Sequence, residues 1–521
     1  MDCLPADTWR FSSSLDTSVE STTTLSTFPL CNPDPIAQAP IASNESSPST
    51  PSCDACMQDV STIPSPSAAW FPRVPSEEAS FRKEPESLCF ENATAVAKAL
   101  VPSRPVTLLR PHAAAKAAQF FVKHFPGTPM YAVKANPSAD IIRVLWENGI
   151  HQFDVASITE VRLARSVCPT ATLCFMHPVK AAEAIAEAYF VHGVRTFSLD
   201  TMEELVKIMI ATNQARDLTL CVRLRVSSEH ALVSLGCKFG ACGDDAARLL
   251  RAVRLCAARA GVCFHVGSQT MEPSAYAAAM EVCADIIARS GVVVDIVDVG
   301  GGFPSAYPGM QPPSLHEFFH TISTAFAKLA LPASTLLWAE PGRSLCNEFS
   351  SVLVRVERRR GETLDINDGA YGSLFDATHL HWKYPMKLVK KGDMHPEMNA
   401  MMAALLAATA SPAMPFAVVD GTEKSEMNDV PSPVTSFGVG APADESDTTL
   451  ADFAFWGPTC DDMDFMPGPF PLPSHTNVGD YIEVGMIGAY GASMRTGFNG
   501  FGVGLTVTVT DAPMESMYND I

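Results

Sequence analysis

The period of hydrophobic and polar positions changes twice along the chain. Through residues 1 to about 85 neither a helical nor an alternating period persists, and Ser, Thr and Pro dominate. Such a segment has too little apolar surface to offset the entropy of ordering, so a disordered tail is expected over 1–85. From about 115 to 345, short β-branched or apolar runs alternate with amphipathic stretches of helical period. The runs end near Val133, Val155, Phe175, Leu199, Arg225, Val266, Val299 and Ala339. Helical stretches lie between them at 139–148, 159–167, 181–192, 202–213, 244–260, 275–289 and 315–329. Eight runs separated by helices predict an α/β fold, a parallel (β/α)8 TIM barrel over 115–345. Beyond it strict alternation returns at 351–358, 363–367, 481–484 and 502–509. A second, β-rich domain is expected from 86–114 and 346–521, with a loop insertion at about 390–452 whose 400–410 portion has a helical pattern.

Composition narrows the function classes. The chain has 521 residues, 47% hydrophobic and 18% charged, which fits a globular protein with a large core. Net charge is −20, from 37 Lys+Arg against 57 Asp+Glu. That argues against a nucleic-acid binder, which needs clustered cations, and favours small cationic partners. No apolar run is long enough to span a membrane, and the first residues lack a signal-peptide pattern. Fifteen Cys, an odd number scattered along the chain, read as reduced thiols in the cytoplasm. Cys53 and Cys56 form a lone CxxC without a second pair, so no metal site is expected.

In a barrel of this kind chemistry gathers at the C-terminal ends of the strands. Here those ends carry Lys134, Asp154, Arg223, His265, Gly300, Gly301, Gly302 and Glu340. A Lys that ends an apolar strand is expected to lose solvation, which lowers its pKa and frees a nucleophilic amine. The plainer alternative is a salt-bridged or snorkelling Lys. Asp154 could orient that amine, or merely cap the helix that follows. A neutral His265 can stack on a flat ring, and Ser268 can bond a phosphate; alternatively His265 is a satisfied core histidine. Three glycines after a strand let backbone N–H groups converge on a phosphate, or simply make a tight turn. Glu340 beside a pyridine nitrogen would keep the ring protonated. Gly342 and Arg343 follow it, and Arg343 suits bidentate phosphate binding, or a plain Glu–Arg ion pair. Taken together on one barrel, these residue types describe a pyridoxal-phosphate site.

The motifs YAVKANP, FDVAS, HVGSQ, DVGGGFP, AEPGRS, NDGAYGS, WGPTCDDMD, GAYG and FNGF occur in this order. Through them the chain resembles the ornithine decarboxylase branch of the barrel-type pyridoxal-phosphate amino-acid decarboxylases, relatives of diaminopimelate decarboxylase and alanine racemase. The resemblance covers about 90–390 and 453–510. It implies that Lys134 holds the cofactor covalently, with Asp154 and Arg223 near that link and ring, and His265 stacked on the ring. It implies that Ser268, Gly300–Gly302, Gly342, Arg343 and Tyr490 bind phosphate and that Glu340 pairs with the ring nitrogen. Cys460 is implied as the proton donor to Cα after carbon dioxide leaves. Asp461, with Tyr371, is implied at the distal amine of the substrate. Cys460 and Asp461 would serve the neighbouring subunit's site, so a homodimer with shared sites is expected.

One stretch departs from the ornithine pattern of animals and fungi, which places Tyr-Asp eight residues after the Tyr of Tyr-Gly-Ser. Here His379 and Leu380 occupy those places. A second carboxylate for the distal amine is then missing unless Asp376 supplies it. Loss of one charge-assisted bond to a buried amine costs about 1.5–3 kcal/mol, roughly 10- to 100-fold in preference. Gln269 is closer to bacterial or diaminopimelate-type members. Arg495 could meet a distal carboxylate, or be a surface or interface residue. L-Ornithine is the leading expected substrate, with putrescine and carbon dioxide as products. Lysine, arginine or another diamino acid remains open. So does a non-catalytic homologue like the antizyme inhibitors, which would bind an antizyme-like regulator.

Overall fold

The computed structural model describes residues 88–390 and 449–518, Val503 excepted. The expected tail 1–85, the CxxC within it and the helical portion at 400–410 lie outside the described residues.

Eight parallel strands close into a barrel: Thr128–Ala132, Gln152–Val155, Thr172–Phe175, Thr196–Leu199, Thr219–Arg223, Arg259–Cys263, Ile296–Asp298 and Leu336–Ala339. The last strand pairs with the first, Trp338 opposite Thr128 and Ala339 opposite Pro129. This is the TIM barrel that the eight apolar runs predict. Helices start where short polar side chains cap them. Ser157 accepts from the N–H of Glu160, and Glu160 reaches back to the N–H of Ala156 at 2.7 Å, a reciprocal cap that satisfies orphan donors. Ser157, not Asp154, therefore caps the helix Ile158–Val167, which leaves the Asp154 carboxylate to the barrel mouth.

The barrel interior is filled largely by sulfur and one indole: Met130, Cys174, Met176, Cys221, Cys263, Ile296 and Trp338 form one buried cluster. Burial pushes the thiols of Cys174, Cys221 and Cys263 well above their ordinary range, so they act as small hydrophobes and not as nucleophiles. Outside the barrel, Phe303 packs edge-on to Phe121 at 5.5 Å and stacks on Tyr276 at 5.3 Å. This aromatic cluster anchors the turn of glycines just before Phe303.

The second layer is a nine-stranded sheet. Val106–Leu109 lies between Leu505–Val509 and Ser350–Arg360, so both ends of the described chain share it. Among the strands that escape the alternation reading are Met386–Lys390, Leu450–Trp456 and Phe465–Pro473, of which the last two pair with each other. Leu450–Trp456 starts inside the stretch expected to be loop to about 452. Phe465–Pro473 contains four prolines, Pro467, Pro469, Pro471 and Pro473. Met466, Phe470 and Leu472 face inward while Pro467, Pro469 and Pro471 face out. The strand pairs on one side only, and an edge strand tolerates residues without an N–H. Among the described residues no helix is long and apolar enough to cross a membrane.

Candidate active site

The strand ends converge. A cavity of about 290 Å³ at the barrel mouth is lined by Lys134, Asp154, Arg223, His265 and Glu340, with His177, Cys237, Lys238 and Phe239 around them. A smaller recess adjoins it, lined by Lys134, His265, Ser268, Gly301, Gly302, Glu340, Gly342, Arg343 and Tyr490. Lys134 and Glu340 thus share both walls.

Lys134 sits in the 3-10 turn Val133–Ala135 that directly follows the first barrel strand. Its Nζ donates to Asp154 Oδ2 at 2.7 Å. Desolvation pulls the amine's pKa down, but Asp154 and then Glu340 pull it up by more, and the net shift is upward. Asp154 acts at hydrogen-bond distance on a side chain that is 39% exposed in this single chain. The expected free amine is therefore corrected: Lys134 is held as an ammonium, and its proton must leave before it can act as a nucleophile. The turn itself is pinned from far away. Tyr490 N–H donates to Ala135 O at 2.8 Å, and Asn136 Nδ2 donates to Gly488 O at 2.8 Å.

Asp298 and Glu340 end adjacent strands, and both are fully buried or nearly so (0% and 3% exposed). Burial and their mutual repulsion hold the Glu340 carboxyl well above its usual range, and Asp298 is raised as well. Two buried carboxyls this close do not both ionise, so the pair carries a proton. Asp298 was read only as part of its motif. Its Oδ1 accepts from Gly300 N–H at 2.9 Å, which shapes the glycine turn.

His265 is pushed well below its ordinary range by burial, Arg223 and Lys134. Its Nδ1 accepts from Gly267 N–H at 3.0 Å, so the neutral ring carries its proton on Nε2. A Cβ on Gly301 would stand 2.9 Å from that Nε2 and 2.8 Å from Glu340 O; only glycine fits. Gly302 has φ 106, a backbone region glycine alone enters freely. Tyr276 OH donates to Gly301 O at 2.9 Å, and Thr270 N–H donates to Gly302 O.

Arg343 is buried, and its guanidinium is held on three sides. Nη1 donates to Tyr307 OH at 2.8 Å, Trp382 lies under it at 4.0 Å and Tyr490 at 4.9 Å. Asp376 Oδ2 is 3.8 Å from Nη2. Asp376, expected at the substrate's distal amine, is thus buried against Arg343, with its pKa raised by burial. Tyr307, Trp382 and His177 were not found by sequence reasoning. His177 had a signal, since it stands just beyond the strand Thr172–Phe175; Tyr307 and Trp382 come from loops with no motif.

Cys460, Asp461 and Tyr371 line neither the cavity nor the recess. Cys460 is exposed on this single chain. Tyr371 OH donates to Asp461, and Met463 N–H donates to its other oxygen at 2.9 Å. The Tyr371 hydroxyl draws the Asp461 carboxyl below its usual range. Buried Asp464 ties this loop down, accepting from Ala370 N–H at 2.7 Å and from Thr459 N–H and Oγ1–H at 3.0 and 2.7 Å. Arg495 donates to Ser373 Oγ at 2.5 Å, an internal bond.

Comparison with known proteins agrees with this geometry. Residues 112–347 match the family model of the pyridoxal-dependent decarboxylase, pyridoxal binding domain. The lysine/ornithine decarboxylase of Selenomonas ruminantium is 28% identical over 405 residues, 76% of this chain and 87% of that protein. Antizyme inhibitor 2 of Xenopus laevis is 28% identical over 396 residues, 73% of this chain and 75% of that protein. The crystal structure of lysine decarboxylase from Selenomonas ruminantium is 26% identical with TM-score 0.61, covering 81% of this chain and 97% of that one. The cofactor is pyridoxal phosphate, and the residues fit it. Arg343 Nε is buried without a partner beside glycines that no Cβ could replace, which suits a phosphate. Glu340, a buried carboxyl facing the recess, suits a ring nitrogen with which it can share a proton.

Proposed function

We propose that this chain, which belongs to the pyridoxal-phosphate-dependent ornithine, lysine and arginine decarboxylases, converts L-ornithine to putrescine and carbon dioxide, a step of polyamine synthesis in the cytoplasm. The observation that carries an active enzyme is the convergence of Lys134, Asp154, Arg223, His265, Glu340 and Arg343 on one barrel mouth. A regulatory homologue has no need of that set, although similarity to an antizyme inhibitor keeps an antizyme-like partner in view. When bound, pyridoxal phosphate supplies the electron sink for the pair released as the Cα–carboxylate bond breaks.

The residues then divide the work. Lys134, on the wall of both the cavity and the recess, would hold the cofactor. Asp154 takes and returns the proton of Nζ. His265, neutral and proton-bearing at Nε2, would face the ring without adding charge. Glu340 keeps the ring nitrogen protonated, and Arg223 stands near the ring. Ser268, Gly300, Gly301, Gly302, Gly342, Arg343 and Tyr490 hold the phosphate. Cys460 delivers a proton to Cα, and Asp461 with Tyr371 binds the distal ammonium. Cys460 and Asp461 line neither cavity of their own chain, which supports the reading that they serve the partner's site in a homodimer.

Asp376 is engaged with Arg343, and Leu380 carries no charge, so Asp461 stands without a second acid from this stretch. That favours weighing lysine, or another diamino acid, as the second reading. Carbon dioxide release from the cofactor-loaded protein with ornithine, lysine, arginine and diaminopimelate decides between them. Ornithine is expected to have the highest kcat/KM. Preference for another acid overturns ornithine alone, and silence on all four with a reducible Lys134 link overturns the enzyme reading.

A further inference from the structure

One short segment supports Cys460 directly and Asp461 through Tyr371. Asn499 Oδ1 accepts from the Cys460 backbone N–H at 3.2 Å and from the Cys460 thiol at 3.4 Å. Its neighbour Phe498 packs on the Tyr371 ring, centroids 4.9 Å apart, and Tyr371 donates to Asp461. The thiol and the carboxylate therefore each have their own support from one short segment.

Asn499 stands at φ 53, ψ 12 in the turn Phe498–Gly500. This left-handed region is one that Asn tolerates better than most residues. The turn aims a short amide at the Cys460 N–H and thiol. A cysteine side chain has three staggered χ1 wells. Tying its N–H and its Sγ to one oxygen selects a single well. An amide oxygen accepts only from S–H, so the contact exists while the thiol carries its proton.

We propose that Asn499 is a positioning residue for Cys460, fixing the protonated thiol in the one orientation from which its proton reaches Cα. This rests on the reading of Cys460 as the proton donor. The consequence lies in the products. A proton delivered to Cα gives the amine. A proton that lands on the cofactor's carbon instead gives, with one water consumed, an aldehyde and the aminated cofactor. Loss of thiol orientation shifts the ratio toward the second pair without weakening the binding of either reactant.

The test uses the cofactor-loaded full chain and the fastest substrate of the panel above. Asn499→Gly keeps the left-handed turn and removes the amide. It is expected to raise the aldehyde share several-fold, in the direction of Cys460→Ala, with substrate KM and cofactor absorbance unchanged. The double variant is expected to show no further rise, since both changes remove one interaction. Asn499→Ala is the second variant, should glycine loosen the turn, and is expected to match it. A parental product ratio in both single variants, while Cys460→Ala shifts it, overturns the proposal alone. A parental ratio in Cys460→Ala overturns the proton-donor reading, and this proposal with it.

Discussion

The Trp382 indole lies 4.0 Å from the guanidinium carbon of Arg343 and is itself stacked on Tyr307 at 5.0 Å. A cation on a desolvated aromatic face gains roughly 1–2 kcal/mol. Because Arg343 faces the phosphate recess, Trp382→Leu is expected to weaken pyridoxal phosphate binding by about 5- to 30-fold. Titration of the cofactor-free protein, followed by cofactor absorbance, measures this. Unchanged affinity means that Tyr307, Tyr490 and Asp376 hold the arginine without the indole.

Gly301 has no room for a methyl group. Gly301→Ala drives a Cβ against His265 Nε2 and Glu340 O, and overpacking of this sort costs about 1–3 kcal/mol. The strain falls on the cofactor site and not on the barrel interior. Cofactor retention through gel filtration is expected to fall sharply while the far-UV spectrum stays native. Retention equal to the parent would show that His265 can move aside.

Glu348 predicts a pH effect on stability. Burial raises its carboxyl from the usual 4.5 to about 7, although Met517 N–H and Ser516 Oγ–H both donate to it. A carboxyl raised in the folded state stabilises the fold fully below about 4.5, and that contribution is lost as pH rises to about 7. The size is about 3 kcal/mol. Glu348→Gln, neutral throughout, is expected to flatten the fall of the thermal midpoint across that window and to be the more stable at pH 8. Parallel curves for parent and variant exclude Glu348 as the source.

Tyr371→Phe removes the hydroxyl that Asp461 accepts. The carboxylate is then free to turn away from the position at which it meets a distal ammonium. Substrate KM is expected to rise several-fold with a smaller change in kcat, and cofactor affinity is expected to hold. A fall in cofactor affinity instead would place Tyr371 at the phosphate.

Much of the barrel site was legible because one rule, strand ends gathering at one mouth, converts sequence position into space. Lys134, Asp154, His265 and Glu340 needed nothing else. The protonation of Lys134 was misjudged because desolvation can be read from an apolar strand, whereas the opposing carboxylates belong to other strands. Asp376 was placed at the substrate by its spacing from Tyr371, but in the structure its carboxylate approaches Arg343, 33 positions earlier in the chain. Tyr307 and Trp382 lie in loops whose path no period encodes. In Phe465–Pro473 the prolines masked an alternation that was present all along.

The Lys134 turn is fastened by Tyr490 and by the carbonyl of Gly488, residues made some 350 positions after it. During synthesis the eight barrel strands are complete long before these fasteners exist. A chain stopped short of residue 480 would have the strands, the glycine turn and the lysine, and still lack the groups that set the lysine's place. The capacity to hold its cofactor is then one of the last properties the nascent protein acquires.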